Sequence, residues 1–206
     1  MAIDLPKSRY RSRSRRAFTI IEAAVALAIT VTAGGALLLG MASSMDATND
    51  MRDRAIAVGM AQELMDEILS KRYNGTLSGE GPKQTTLGPA ASEKSGNSRM
   101  LFDDIDDYNG YAVQPVVDCY GIPLGTDNGQ GGTRHPSFQV PSTYFTRWRQ
   151  EVSVYYVNST NFTQKLATGQ TSDYRAVEVS IKYVDSVRGT IELANLRRVV
   201  ANVPIP

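Results

Sequence analysis

Cysteine and histidine are nearly missing from this 206-residue chain, with Cys119 and His135 the single representatives of each. One cysteine closes no intramolecular disulfide, and together with one histidine it falls short of the four ligands of a structural zinc site. Catalytic schemes built on a histidine base lose most of their parts as well. Cys119 reads as a small buried hydrophobe or as a reactive thiol, and no basic neighbour in the sequence favours the second. The glycine-rich Asp127-Asn128-Gly129-Gln130-Gly131-Gly132 lacks the Gly-Lys-Ser/Thr ending of a phosphate loop and reads as surface loop. His135, ahead of Pro136, reads the same way. Trp148 between two arginines reads as core at a strand entrance, or as an aromatic that meets a partner.

Charge of either sign is absent from Ala23 to Met45, a stretch rich in Ala, Leu, Val and Ile. At about 1.5 Å per residue it covers about 30 Å, enough for the hydrocarbon core of a bilayer. Basic residues are concentrated before it. Of 22 Lys and Arg, six (Lys7, Arg9, Arg11, Arg13, Arg15, Arg16) lie in the first 17 positions, against the single acid Asp4. The remainder holds 16 basic and 20 acidic residues, so a nucleic-acid-binding body is disfavoured. Arginines before the run and Asp46, Asp50 and Asp53 after it orient the N-terminus toward the cytoplasm and the body away from it. A cleavable secretory signal shares the basic-then-apolar order, but its apolar region spans about 7–15 residues and this run is longer.

From Asp46 to Arg72 there is no proline, and Ile56, Met60, Leu64 and Ile68 recur every four residues with Met65 and Leu69 beside them. That spacing predicts an amphipathic helix continuing the membrane segment, one helix from about Phe18 to Arg72. Lys71 and Arg72 suit its negative end, and Asn74-Gly75 supply a stop. Gly34-Gly35 are its points of weakest rigidity, or sites of close helix packing. Glu22 sits inside the apolar stretch, where an ionised carboxylate is costly unless it is paired or reaches the headgroups.

Arg15-Arg16-Ala17-Phe18-Thr19-Ile20-Ile21-Glu22 resembles the type III signal of the type IV pilin family, a basic leader followed by Phe-Thr-x-x-Glu and a long apolar helix. The resemblance implies cleavage by a prepilin peptidase between Ala17 and Phe18 and N-methylation of Phe18. It also implies that Glu22 pairs with the terminal amine of a neighbouring subunit. Ala61-Gln62-Glu63-Leu64-Met65-Asp66-Glu67-Ile68-Leu69-Ser70-Lys71-Arg72-Tyr73 and Phe102-Asp103-Asp104-Ile105-Asp106-Asp107-Tyr108-Asn109-Gly110-Tyr111 resemble the mannose-sensitive haemagglutinin minor pilin D type. By that likeness the chain divides into a basic leader over 1–17, a membrane and polymerisation half-helix over 18–45, and an extracytoplasmic domain over 46–206.

Beyond Tyr73 the residues over 74–97 are dense in Gly, Ser, Thr and Pro and predict a long loop; a second loop runs over 121–141. Strand-like segments are Tyr111–Asp118, Gln150–Asn158, Tyr174–Asp185 and Thr190–Val203. Val152, Val154 and Tyr156 alternate with polar residues, and so do Val177, Val179, Ile181 and Tyr183. Val187-Arg188-Gly189 predicts a hairpin turn. The expected fold is α+β and pilin-like, a long N-terminal helix on a small antiparallel sheet, with amphipathic helix over 46–72, loops over 73–110 and sheet over 111–203.

Asp103, Asp104, Asp106 and Asp107 form the one dense acidic cluster. They are weak candidates for calcium ligands, without EF-hand spacing. They read equally as a capped turn with Tyr108 and Tyr111 packed inward, or as a solvated run. Asn74, Asn158 and Asn161 match glycosylation sequons, a pattern frequent by chance. No constellation supports catalysis and no cofactor is implied. The expected function is a structural minor pilin or pseudopilin, with the prepilin peptidase, other subunits and the inner membrane as partners. The alternative is a single-pass anchored periplasmic binding or sensor domain that does not polymerise.

Overall fold

The computed structural model describes residues 19–74, 83–125, 127–141 and 143–203; Ala17, Phe18 and the leader over 1–17 lie outside them. The chain divides into two compact units, 1–49 and 50–206. The helix α1 spans Ile20–Leu69. Thr19 opens it, its hydroxyl accepting the Glu22 N–H at 3.3 Å, which satisfies one of the free donors of the first turn. Gly34-Gly35 do not interrupt it.

In the first unit the described side chains are almost all exposed, including Leu27, Ile29, Leu37, Leu38 and Leu39. The helix is long and apolar enough to cross a membrane. Its two central threonines hide their own polarity: Thr30 Oγ1 donates to the Ala26 carbonyl at 2.8 Å and Thr32 Oγ1 to that of Ala28 at 3.0 Å. A hydroxyl bonded to its own helix loses little on entering a medium without water.

In the second unit α1 buries Ala57, Met60, Ala61, Leu64, Met65 and Ile68, the stripe that the four-residue spacing anticipates. Ile56 is only partly buried and packs at the edge of this core. The stripe meets a four-stranded antiparallel sheet in the order β1-β2-β3-β4, built from Ala112–Val113, Trp148–Tyr156, Tyr174–Asp185 and Gly189–Ala201. Along β2 burial alternates at every residue, so Trp148, Gln150, Val152, Val154 and Tyr156 face the helix. β3 presents Val177, Val179 and Ile181 to the same core. The α+β architecture of a long helix packed on a small antiparallel sheet is therefore the one expected.

Three differences from the sequence expectation have local causes. The helix ends at Leu69, not Arg72. The Ser70 hydroxyl takes the Glu67 carbonyl, and the Arg72 carbonyl accepts the Ile105 N–H at 2.9 Å, drawing the chain out of the helix. The first strand shrinks to Ala112–Val113, because Pro115 has no N–H for a ladder. Downstream the Gln150 side chain accepts the Val117 N–H at 3.2 Å in place of a strand partner. The register of β3 and β4 slips between Ile181 and Lys182, so Leu193 has no partner and β4 carries a bulge. The hairpin forms as expected: Asp185 Oδ1 accepts the N–H groups of Val187 and Arg188, and Gly189 closes the turn at φ 77°.

Candidate functional site

Three places in the described structure carry unusual chemistry: the first turn of α1, the acidic turn after Phe102, and an open groove in the second unit. Glu22 lies in the first turn and is exposed, as are its neighbours Ile20 and Ile21. Thr19-x-x-Glu22 is the spacing of a capping box, a signal for helix initiation already present in the sequence. An acid there also suits the positive end of the helix.

The acidic turn is built by its own carboxylates. Asp104 Oδ1 accepts the N–H groups of Asp106 and Asp107 at 2.9 and 3.2 Å, while Asp107 Oδ2 accepts those of Asp103 and Asp104 at 2.9 and 3.2 Å. These reciprocal caps shape the 3-10 turn Asp106–Tyr108, which is buried throughout. Tyr108 packs edge-on to Phe102 with ring centres 5.0 Å apart, and Tyr111 does so at 6.2 Å. Tyr108 is fully buried and Tyr111 partly so, which is the capped-turn arrangement with inward aromatics.

The four aspartates do not share one site. Asp106 turns inward to Arg175, Nη1 to Oδ1 3.0 Å, both side chains buried. Asp103 points outward and pairs with Arg72 at 2.7 Å. A carboxylate trio is completed by a residue that the sequence pattern did not single out: oxygens of Glu93, Asp103 and Asp107 lie within 4.8 Å of one another. Glu93 comes from ten residues upstream, a distance no local motif encodes. Each member is already engaged, Glu93 by the Ala90 N–H at 2.6 Å, Asp103 by Arg72 and Asp107 by two backbone N–H groups. Calcium takes six to eight oxygens, so this trio supplies at most part of a shell.

Burial pushes the Asp104 carboxyl up from 3.8 to about 7, helped by its hydrogen bond to and repulsion from Asp106, against a smaller pull from the two N–H groups. Burial likewise raises Asp107 to about 6, with the charges of Asp104 and Glu93 adding to it. A carboxyl whose folded value is raised contributes stability that is full below its unfolded value and lost as pH climbs through the folded one. Asp104→Asn keeps the acceptor for both N–H groups and removes the charge. We expect it to stabilise the second unit by about 1–2 kcal/mol at pH 8 and by almost nothing at pH 4. Urea melts at the two pH values check this; equal effects at both would contradict it.

Two arginine-centred networks tie this turn to α1 and to β3. Arg99 makes a forked pair with Glu67 of α1, Nε–Oε1 3.0 Å and Nη2–Oε2 2.8 Å, and its Nη1 donates to the Tyr111 hydroxyl at 2.8 Å. The Tyr108 hydroxyl donates to Glu67 Oε1 at 2.8 Å. Burial pushes the Glu67 carboxyl up, but Arg99 and that hydroxyl outweigh it and hold it below the ordinary value. The second network centres on Arg175, which is fully buried. Besides Asp106 it donates to the Tyr73 carbonyl, the Asn74 side chain and the Tyr156 hydroxyl, and its guanidinium stacks on Tyr73 at 4.4 Å. Sequence reasoning passed over Arg175, although its phase with Val177, Val179 and Ile181 places it on the core face.

The groove, about 770 Å³, is lined by Trp148, Tyr144, Tyr183, Ile191 and Leu193, with Asp50, Asp53 and Arg54 of α1 along one side and Asp185, Val187 and Arg188 of the hairpin along another. The Tyr144 hydroxyl donates to Asp53 at 2.5 Å. Trp148 is core, packed edge-on to Phe145 at 5.3 Å. The remaining singled-out residues have local duties. His135 Nδ1 accepts the Ser137 N–H at 3.3 Å, and Asp127 and Asn128 fold their loop through side chain to backbone bonds. Cys119 is partly exposed. Asn158 and Asn161 each accept from the Thr two residues on, so these Asn-x-Thr patterns serve turns. Asn74 is buried against Arg175.

No family model, curated protein or solved structure matches this chain.

Proposed function

We propose that the chain is a non-enzymatic structural subunit, a minor pilin or pseudopilin of a type IV pilus or a type II secretion pseudopilus. The observation that carries the reading is the first unit. It is a helix with its apolar side chains exposed and an acid in its first turn, a surface that only lipid or other helices can cover at acceptable cost. In this reading the subunit waits in the inner membrane with its N-terminus cytoplasmic and its second unit in the periplasm. Prepilin peptidase removes 1–17, and the helix then leaves lipid for the packed helices of a filament. Glu22 sets register by meeting the Phe18 amine of a neighbour, an intramembrane charge with a partner of opposite sign. Surface arginines and aspartates of the second unit form the filament exterior, and no nucleic acid is involved.

The resemblance at Arg15–Glu22 supports this reading. The groove favours a second reading, an anchored periplasmic binding or sensor domain. Intact-mass measurement separates the two. We expect the protein isolated from cells with an active prepilin peptidase to begin at Phe18 and to carry one added methyl group. A full-length chain from such cells would overturn the pilin reading and leave the anchored domain.

A further inference from the structure

Asparagine followed by glycine occurs three times, at Asn74-Gly75, Asn109-Gly110 and Asn128-Gly129. The pair is intrinsically reactive, because glycine has no Cβ to keep its backbone nitrogen from the carbonyl of the preceding side chain. The fold treats the three differently. Asn74 is buried with its Oδ1 on Arg175, and Gly75 lies outside the described residues. Asn109 is a brace: its Oδ1 accepts the Val154 N–H at 3.0 Å and its Nδ2 donates to the Leu87 carbonyl at 3.0 Å. The Gly110 N–H donates to the Val152 carbonyl at 3.1 Å, a neutral acceptor that takes no proton.

At Asn128 the same dipeptide meets reactive surroundings. Its Oδ1 accepts two backbone N–H groups, from Gln130 at 2.9 Å and from Gly132 at 3.0 Å. Two N–H donors on one carbonyl oxygen stabilise the negative charge that develops there when the carbonyl carbon is attacked. The N–H of Gly129, whose nitrogen is the nucleophile, donates to the Asp127 carboxylate at 2.7 Å, a base for the proton that attack releases. Nδ2 lies against Gly132, where a Cβ would come within 2.9 Å of it, so glycine leaves room for the crowded tetrahedral carbon. The loop is closed by a bridge between Asp127 and Thr133 and by the Asn128 N–H on the Gly132 carbonyl at 3.3 Å, which holds these groups in place beforehand. Residues 129–132 are exposed, so water reaches the site.

We infer that Asn128 is an autocatalytic modification site, which closes to a succinimide with Gly129 and opens to aspartate and isoaspartate. The Gly129 nitrogen bonds to Asn128 Cγ, its proton passes to the Asp127 carboxylate and on to Nδ2, and the Cγ–Nδ2 bond breaks to release ammonia. Water then opens the imide. Attack at Cγ gives aspartate, and attack at the backbone carbonyl gives isoaspartate, with the main chain rerouted through the side chain. The net change consumes water, releases ammonia and places a new carboxylate beside Asp127. It takes place within a single chain and does not depend on the assembly reading.

The test ages the full-length protein in detergent at neutral pH, digests it under mildly acidic conditions and scores each Asn-Gly peptide by mass spectrometry for ammonia loss and for exchange of amide for acid. We expect Asn128 to convert at least about tenfold faster than Asn109 in the folded chain, and about tenfold faster than it does itself with the second unit unfolded in urea. In urea Asn109 and Asn128 should react at similar rates. Asp127→Ser keeps a hydroxyl to accept the Gly129 N–H but removes the base, and should slow Asn128 about tenfold in the folded chain. Conversion of Asn128 no faster in the folded chain than in urea would overturn the inference. So would an Asp127→Ser chain that converts at the native rate.

Discussion

A fragment starting at Tyr73 should aggregate, whereas one starting near Ser44 should be soluble and melt in a single cooperative transition. The first cut removes Met60, Leu64, Met65 and Ile68 from the core together with the close-packed Ala57 and Ala61, all buried against the sheet. Four large side chains at about 1.5–3 kcal/mol each amount to about 6–12 kcal/mol, comparable with the whole stability of a domain. It also leaves Arg99 buried without Glu67 and uncovers Val152, Val154, Val177, Val179 and Ile181. The second cut discards the part of α1 with few buried residues and keeps the entire stripe. Circular dichroism melts and size-exclusion profiles of both fragments decide the matter. A soluble, cooperatively melting 73–206 fragment would remove the helix from the core of this fold.

Replacing Arg175 is the point change with the largest expected cost. Arg175→Met keeps much of the stem volume but leaves the Asp106 carboxylate, the Tyr73 carbonyl, the Asn74 side chain and the Tyr156 hydroxyl without their donor. Breaking a buried ion pair from one side costs about 3–5 kcal/mol, because the surviving charge stays in a low-dielectric site. We expect a loss of that size in urea unfolding at pH 7. The double change Arg175→Met with Asp106→Leu should recover part of it, since no orphaned carboxylate remains. A loss under about 1 kcal/mol for the single variant would show that water reaches Asp106 and that the pair is not buried in solution.

How much of this was legible beforehand differs by element. The stripe Met60, Leu64, Ile68 and the alternation along β2 and β3 were readable, because each records one buried face of one regular element. The β1 segment was not, since its apolar residues Val116 and Val117 are buried in irregular backbone after Pro115, and hydrophobicity alone cannot tell a strand from a buried loop. The helix end misled for a related reason. Lys71 and Arg72 suit a helix terminus, yet Arg72 is recruited by Asp103 and by the backbone of Ile105. The acidic run was recognisable as a cluster with a capped turn among its readings. Its division into an inward Asp106, an outward Asp103 and two capping carboxylates depended on which cations the fold delivered.

From the sequence alone came the apolar helix, the amphipathic stripe that follows it, the antiparallel hairpin and the acid at position 22, all properties with a period of a few residues. Tertiary structure decided the rest. Arg175 finds Asp106 across 69 positions, Arg99 finds Glu67 across 32, and Glu93 comes to lie beside Asp103 and Asp107. The groove exists because side chains from α1, β2 and the β3–β4 hairpin frame one space. Burial patterns are local, since each residue meets water or core according to its own face. The partner of a buried charge is not, since removing it from water requires an opposite charge or dipole, and only the folded chain brings one within reach.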